Sequence, residues 1–324
     1  MSFQSNPSRR DVVKFGLLTG VGLVAGTSRG LWAEELARLE QLPLITKAIP
    51  SSGVKIPVVG IGTNQYNLAA DQRDSLRDTM KRFVELGGSV YDTATGYARG
   101  ESEAVLGELS SELKLRDKLF FVTKVVAPEN NIETGRAGFA TSLERLKTNV
   151  LDGLLVHNLA GTDVLMPAFQ EWKQQGKIRH LGISTSSERQ YDALAAELTR
   201  HKLDIVQIDY SLGNRGAADR LLPLAMDRGA AVMINLPFGG RRGASVNFPK
   251  LASVPLPGYA ADFDIKTWPQ FFLKYVVSHP AVTIAIPGTR RVSYVEDNMG
   301  AARGRLPDAA ARKKMEETFD ALPA

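Results

Sequence analysis

Apolar and polar positions along this chain fall into two alternating rhythms. Short, nearly continuous apolar runs recur at 58–61, 89–92, 119–124, 153–157, 178–184, 205–209, 231–235 and 283–287. Runs such as Leu154-Leu155-Val156 and Val232-Met233-Ile234 suit parallel strands buried on both faces. Between them lie stretches with helical spacing: Leu76, Met80, Phe83, Val84 and Gly87 in one, Ala140, Leu143, Leu146 and Val150 in another. Eight strand–helix units in roughly 240 residues match a closed (β/α)8 TIM barrel, an α/β single domain, in count and length. An open doubly wound sheet would place Gly-x-Gly-x-x-Gly after its first strand. Here Gly60-Ile61-Gly62-Thr63-Asn64-Gln65 lacks the third glycine, which favours the barrel. Residues 47–57, centred on Ser51-Ser52-Gly53, predict a hairpin that closes the barrel floor. The Gly- and Pro-rich connection 237–264 is long enough to predict a functional loop.

Residues 1–33 follow neither rhythm. Ser8-Arg9-Arg10-Asp11-Val12-Val13-Lys14 precedes an apolar, glycine-rich run at 15–26. A charged segment followed by a short apolar one is the pattern of a signal peptide. The arginine pair with its flanks resembles the bacterial twin-arginine export signal, with Val12-Val13 in place of the commoner Phe-Leu. The apolar run, about twelve residues long, falls short of the roughly twenty that a spanning helix needs, so no stable membrane anchor is expected. Cleavage is expected after Ala33 or earlier, near Gly26. The resulting division is a leader at 1–33, a linker at 34–46, the barrel at 47–310 and a C-terminal tail at 311–324. The resemblance implies a periplasmic protein, with the twin-arginine machinery as partner.

Composition changes this picture little. The chain has 324 residues, of which 44% are hydrophobic and 23% charged, ordinary for a globular protein. Of its 40 basic and 35 acidic residues, four and one lie in the leader, leaving a nearly balanced 36 against 34. That balance argues against a nucleic-acid surface. The absence of cysteine excludes disulfides, thiol catalysis and cysteine metal sites. The four histidines are scattered, and no metal site is expected.

In a barrel of this kind, chemistry sits where strands end. Reading those ends gives Asp92, Lys124 and His157 after the second, third and fourth strands, with Tyr97 five residues beyond Asp92. An acid, an amine, an imidazole and a phenol therefore converge on one rim. Reducing a carbonyl requires a proton for the developing alkoxide as well as hydride for the carbon. A phenol of ordinary pKa, about 10, does this poorly unless a cation stabilises its anion.

The segments carrying these residues resemble the aldo-keto reductase family. They are Asp92-Thr93-Ala94-Thr95-Gly96-Tyr97 with Gly100-Glu101-Ser102-Glu103, Val122-Thr123-Lys124, and Ser142-Leu143-Glu144-Arg145-Leu146 leading to Leu155-Val156-His157-Asn158. Three more follow in order: 178–184, Gln207-Ile208-Asp209-Tyr210-Ser211, and Ile286-Pro287-Gly288-Thr289 with Asn298 beyond. The resemblance, over about 45 to 305, implies an NADP-linked oxidoreductase on aldehydes, ketones or the corresponding alcohols, with NAD as the alternative cofactor. It implies Tyr97 as the general acid/base, assisted by Lys124, Asp92 and His157. Ser184 and Gln207 would meet the nicotinamide carboxamide, and Tyr210 would stack on its ring. Gly62, Thr63, Leu236, Gly239, Gly288, Thr289, Arg290, Arg291 and Asn298 would complete the cofactor site. Arg241 and Arg242 are further candidates for phosphate contact. Three positions depart from the family pattern: Thr185, where asparagine is common, Tyr294, where one branch often has arginine, and Ala98, where glycine usually follows the tyrosine. The competing function is a nicotinamide-binding sensor or interaction protein with little turnover.

Overall fold

The computed structural model describes residues 34, 37–67, 69–239, 246 and 248–322. The expected leader, Arg241 and Arg242 lie outside the described residues. Two short strands, β1 (Thr46–Ala48) and β2 (Lys55–Pro57), pair antiparallel. Eight further strands are parallel and lie in chain order: β3 (Ile61–Gly62), β4 (Val90–Asp92), β5 (Phe120–Val125), β6 (Leu151–Val156), β7 (Ile178–Ser184), β8 (Ile205–Asp209), β9 (Ala231–Asn235) and β10 (Val282–Ala285). The sheet closes on itself. Parallel bridges join Val59 to Ala285 and Gly62 to Gly288, and Gly60 N donates to Ala285 O at 2.8 Å across the seam. This is the expected (β/α)8 TIM barrel.

Three strands, β7, β8 and β9, occupy the residues that the apolar runs predict. The first is shorter than 58–61 predicts, because Val58 and Val59 lie along the closing seam rather than in a regular ladder with β4. β6 ends at Val156, and His157 opens a short helical turn.

The barrel interior holds Val90, Phe120, Val122, Leu155, Ile205, Ala231, Met233, Ile284 and Ile286, together with Ile49 and Ile56 of the hairpin. Burying these residues together closes the floor, as Ser51-Ser52-Gly53 predicts. The hairpin is also bonded in place. Lys47 Nζ donates to Val277 O at 2.8 Å, Val282 O at 2.5 Å and His279 O at 3.2 Å. Burial, and then the Arg312 charge, lower this amine to about 8.

The outer layer comprises α1 (Ala70–Glu85), α2 (Glu101–Glu112), α3 (Ile132–Arg145), α4 (Thr162–Gln174), α5 (Tyr191–Arg200), α6 (Leu221–Asp227), α7 (Phe248–Leu251), α8 (Trp268–Val277), α9 (Val292–Gly300) and α10 (Ala309–Asp320). Their apolar stripes cover the outward faces of the strands. Among the described residues, no helix is long and apolar enough to cross a membrane.

Described residues of both expected flanks pack against this body. Leu39, within the expected linker, is buried, and Ile45 N donates to Ala302 O at 2.8 Å. Residues 311–320 of the expected tail belong to α10, which is capped by the Asp308 carboxylate and buries Arg312 and Met315. A helix with an apolar stripe and a cap cannot be a solvated tail without exposing that stripe.

One buried acid gives a stability test. Asp297 Oδ1 accepts from Thr267 Oγ1 at 2.6 Å and Gln270 Nε2 at 3.0 Å, yet burial outweighs both and pushes the carboxyl up to about 6. A group raised in the folded state adds stability below its unfolded value, and this is lost as pH rises through the folded one. Asp297→Asn should therefore gain about 1–3 kcal/mol over wild type near neutral pH. The gain should vanish near pH 4 in denaturant titrations. An equal difference at both pH values would show that charge is not the cause.

Candidate active site

The period of two along each strand sends alternate side chains inward, and at the upper ends those side chains become polar. Val90 is followed inward by Asp92, Val122 by Lys124, Ile205 by Gln207 and Met233 by Asn235. Lys124 is fully buried and Asp92 almost so. Lys124 Nζ donates to Asp92 Oδ2 at 2.7 Å, Thr93 O at 2.7 Å and Tyr97 Oη at 3.3 Å.

Burial acts against the Lys124 cation, but Asp92 and then Tyr97 outweigh it and hold the amine above its ordinary value. Burial also pushes the Asp92 carboxyl up, and the Lys124 ammonium and Gln207 amide pull against it without cancelling it. The geometry decides the state of the pair. Nζ faces three oxygens and Asp92 faces two nitrogen donors, which is the arrangement of an ammonium and a carboxylate.

Tyr97 is held over this pair by its loop. Thr95 N and Oγ1 both donate to Lys124 O at 3.1 Å, and Tyr97 N donates to Ala94 O at 3.1 Å. Ala98 and Arg99 then take positive φ, 46° and 57°, before Gly100 at 96°. Ala98 thus adopts a conformation that glycine takes without steric penalty, so its methyl strains the loop without unseating Tyr97. The Tyr97 ring meets His157 edge-on, with centroids 5.7 Å apart, and lies 4.8 Å from Lys124 Nζ.

Two further side chains brace the loop, and sequence reading treats them only as parts of a motif. Ser102 Oγ donates to Thr63 O at 2.7 Å, tying α2 to the end of β3. The buried Glu103 carboxylate accepts from Thr123 Oγ1 at 2.6 Å and Ser142 Oγ at 2.7 Å, and pairs with Arg145, which donates to Thr95 O at 3.2 Å. Glu103 therefore joins β5, α3 and the tyrosine loop through a single buried group.

These residues border a cleft that is open to solvent. Of the expected site residues, it brings together Gly62, Thr63, Asp92, Tyr97, His157, Ser184, Gln207, Leu236 and Gly288, with Lys124 directly beneath Tyr97. It also includes Asn64, Asn158, Ser186 and Asn235, which the sequence reading does not single out. Gly62 serves the seam: a Cβ there would lie 2.9 Å from Ile286 O. Gly182 lets β7 approach β8, since a Cβ there would run into the Ile205 carbonyl. That close approach sets Ser184 opposite Gln207.

The remaining expected residues lie elsewhere. Arg290 and Arg291 line a separate hollow with Gln72, Ser75 and Leu76 of α1. Thr289 and Asn298 are buried beside it, joined by Asn298 Nδ2 donating to Thr289 Oγ1 at 3.0 Å. Gly239 follows the cleft residue Leu236 and donates back to its carbonyl at 2.9 Å.

Tyr210 requires a correction, because it does not line the cleft. Its ring stacks on Tyr275 at 5.7 Å, and its hydroxyl donates to Tyr275 Oη at 2.8 Å while accepting from Arg312 at 2.7 Å. Val206, Ile208 and Tyr210 share the outward face of β8 and its extension, so the ring belongs to the helix layer.

Residues 58–247 match the family described as "Aldo/keto reductase family". The chain is 30% identical over 266 residues to methylglyoxal reductase YeaE of Escherichia coli (strain K12), covering 81% of this chain and 92% of that one. It is 24% identical over 321 residues to probable aldo-keto reductase 1 of Glycine max, covering 89% and 90% respectively. Among solved structures it resembles an aldo-keto reductase from Klebsiella pneumoniae in complex with NADPH. That similarity has a TM-score of 0.69 at 25% identity and covers 87% of this chain and 98% of that one.

Proposed function

The chain belongs to the aldo-keto reductase family of oxidoreductases, and we propose that it uses NADP to reduce aldehydes or ketones, or to oxidise the corresponding alcohols, with Tyr97 moving the proton. The observation that carries this reading is the Tyr97 hydroxyl, set in the cleft 3.3 Å from a fully buried lysine. The Lys124 ammonium stabilises negative charge on the Tyr97 oxygen as the proton leaves, and Asp92 keeps that ammonium in place. His157, edge-on to Tyr97, orients the carbonyl oxygen that receives the proton.

The residues fit a nicotinamide dinucleotide. Asn235 Oδ1 is buried without a partner in a residue that lines the cleft, and Ser184 and Asn158 offer further polar atoms there. The Gly62–Gly288 seam brings bare backbone to the cleft edge. Arg290 and Arg291, with Ser75, suit a 2′-phosphate, which favours NADP over NAD. When bound, the nicotinamide supplies or accepts the hydride.

The test is NADPH oxidation by the purified protein against a panel of aldehydes, methylglyoxal included because the Escherichia coli relative is named for it. Cofactor consumption matched by alcohol formation is the expected result. Tight NADPH binding with no turnover of any carbonyl would favour a sensor instead. The twin-arginine pattern at residues 8–14 supports a periplasmic location. Cell fractionation that recovers the protein only from cytoplasm would overturn it.

A further inference from the structure

Ser184 and Gln207 are the side chains expected to meet the nicotinamide carboxamide, but Gln207 is already engaged at both ends. Its Nε2 donates to Asp92 Oδ1 at 2.8 Å and approaches Met233 Sδ at 3.1 Å, while its Oε1 accepts from Asn235 Nδ2 at 3.3 Å. Asn235 Nδ2 also donates to Thr185 O at 2.9 Å.

Both amide orientations follow from chemistry. A carboxylate and a backbone carbonyl only accept, so the Gln207 nitrogen must face Asp92 and the Asn235 nitrogen must face Thr185. Asn235 is thereby left with a single unused atom. Its Oδ1 is buried and meets no donor, in a residue that lines the cleft at the inward end of β9. A buried acceptor without a donor is unfavourable, so the site favours a ligand that supplies one.

We propose that Asn235 is the side chain that reads the carboxamide, its Oδ1 accepting from the carboxamide N–H, and that Gln207 acts as a positioning residue linking Asn235 to Asp92. This rests on the reading of the cleft as a nicotinamide site. An acceptor at this point selects an amide, which can donate, over a carboxylate, which cannot and is repelled. Through Gln207, the same contact ties the filled cofactor site to the buried Asp92–Lys124 pair.

The experiment is a binding titration by quenching of intrinsic fluorescence, independent of turnover. The probes are NADP, its nicotinic acid analogue, in which a carboxylate replaces the carboxamide, and adenosine 2′,5′-bisphosphate, which lacks the nicotinamide. Wild type should prefer the amide to the acid by about tenfold or more. Asn235→Leu should weaken NADP by about tenfold, erase the preference and leave the bisphosphate unchanged, which also shows that the variant is folded. Equal NADP affinity in wild type and the leucine variant, or equal weakening of amide and acid forms, would overturn the role of Asn235 alone. Failure of wild type to bind NADP at all would overturn the reading of the cleft, and this inference with it.

Discussion

Lys124→Met is expected to lower turnover by about 10²–10⁴-fold and to destabilise the protein by about 3–5 kcal/mol. Methionine fills much the same volume, so little of the loss arises from a cavity. The loss arises from Asp92, which is almost fully buried and would retain only the Gln207 amide as donor. Burial already holds this carboxyl above its usual range, and removing the ammonium pushes it further up. By the linkage rule, the variant's deficit should be full above the raised folded value and should shrink as pH falls towards the unfolded one. Asp92→Asn added to Lys124→Met should recover most of the stability and none of the turnover. Denaturant titrations at two pH values, with steady-state rates, separate these effects. A deficit independent of pH would point to packing, and near-normal turnover would remove Lys124 from the mechanism.

The sequence made much of this site legible because its architecture repeats. Continuous apolar runs specify doubly buried strands, and a polar residue terminating such a run marks the rim; Asp92, Lys124 and His157 were visible on that ground alone. What escaped was parity. On β8 the inward positions are Ile205 and Gln207, and on β9 they are Ala231, Met233 and Asn235. Counting by twos from the apolar residues would have found Asn235 and placed Tyr210 on the outside. Family resemblance points to an aromatic at the right height and the wrong face. The brace through Glu103 was illegible for a different reason. Its partners Thr123, Ser142 and Arg145 come from two other elements, and no local pattern announces that they meet.

Tyr97→Phe isolates the proton step. The substitution removes one oxygen and keeps the ring, with its edge-on contact to His157 and its position beside Lys124 Nζ. Lys124 retains Asp92 and Thr93 O as acceptors, so the buried pair survives, and stability should change by no more than about 1 kcal/mol. Turnover should nevertheless fall by about 10²–10⁴-fold, the usual contribution of a positioned general acid. NADPH affinity should stay within about twofold of wild type, because none of the groups assigned to hold the nucleotide is altered. Comparing Tyr97→Phe with Lys124→Met then assigns the two roles. Loss of rate alone marks the group that moves the proton, and loss of rate with stability marks the charge that lets it do so. If Tyr97→Phe keeps more than about a tenth of wild-type turnover, the proton reaches the alkoxide by another route. The neighbouring His157, 5.7 Å away between ring centres, is then the first group to replace.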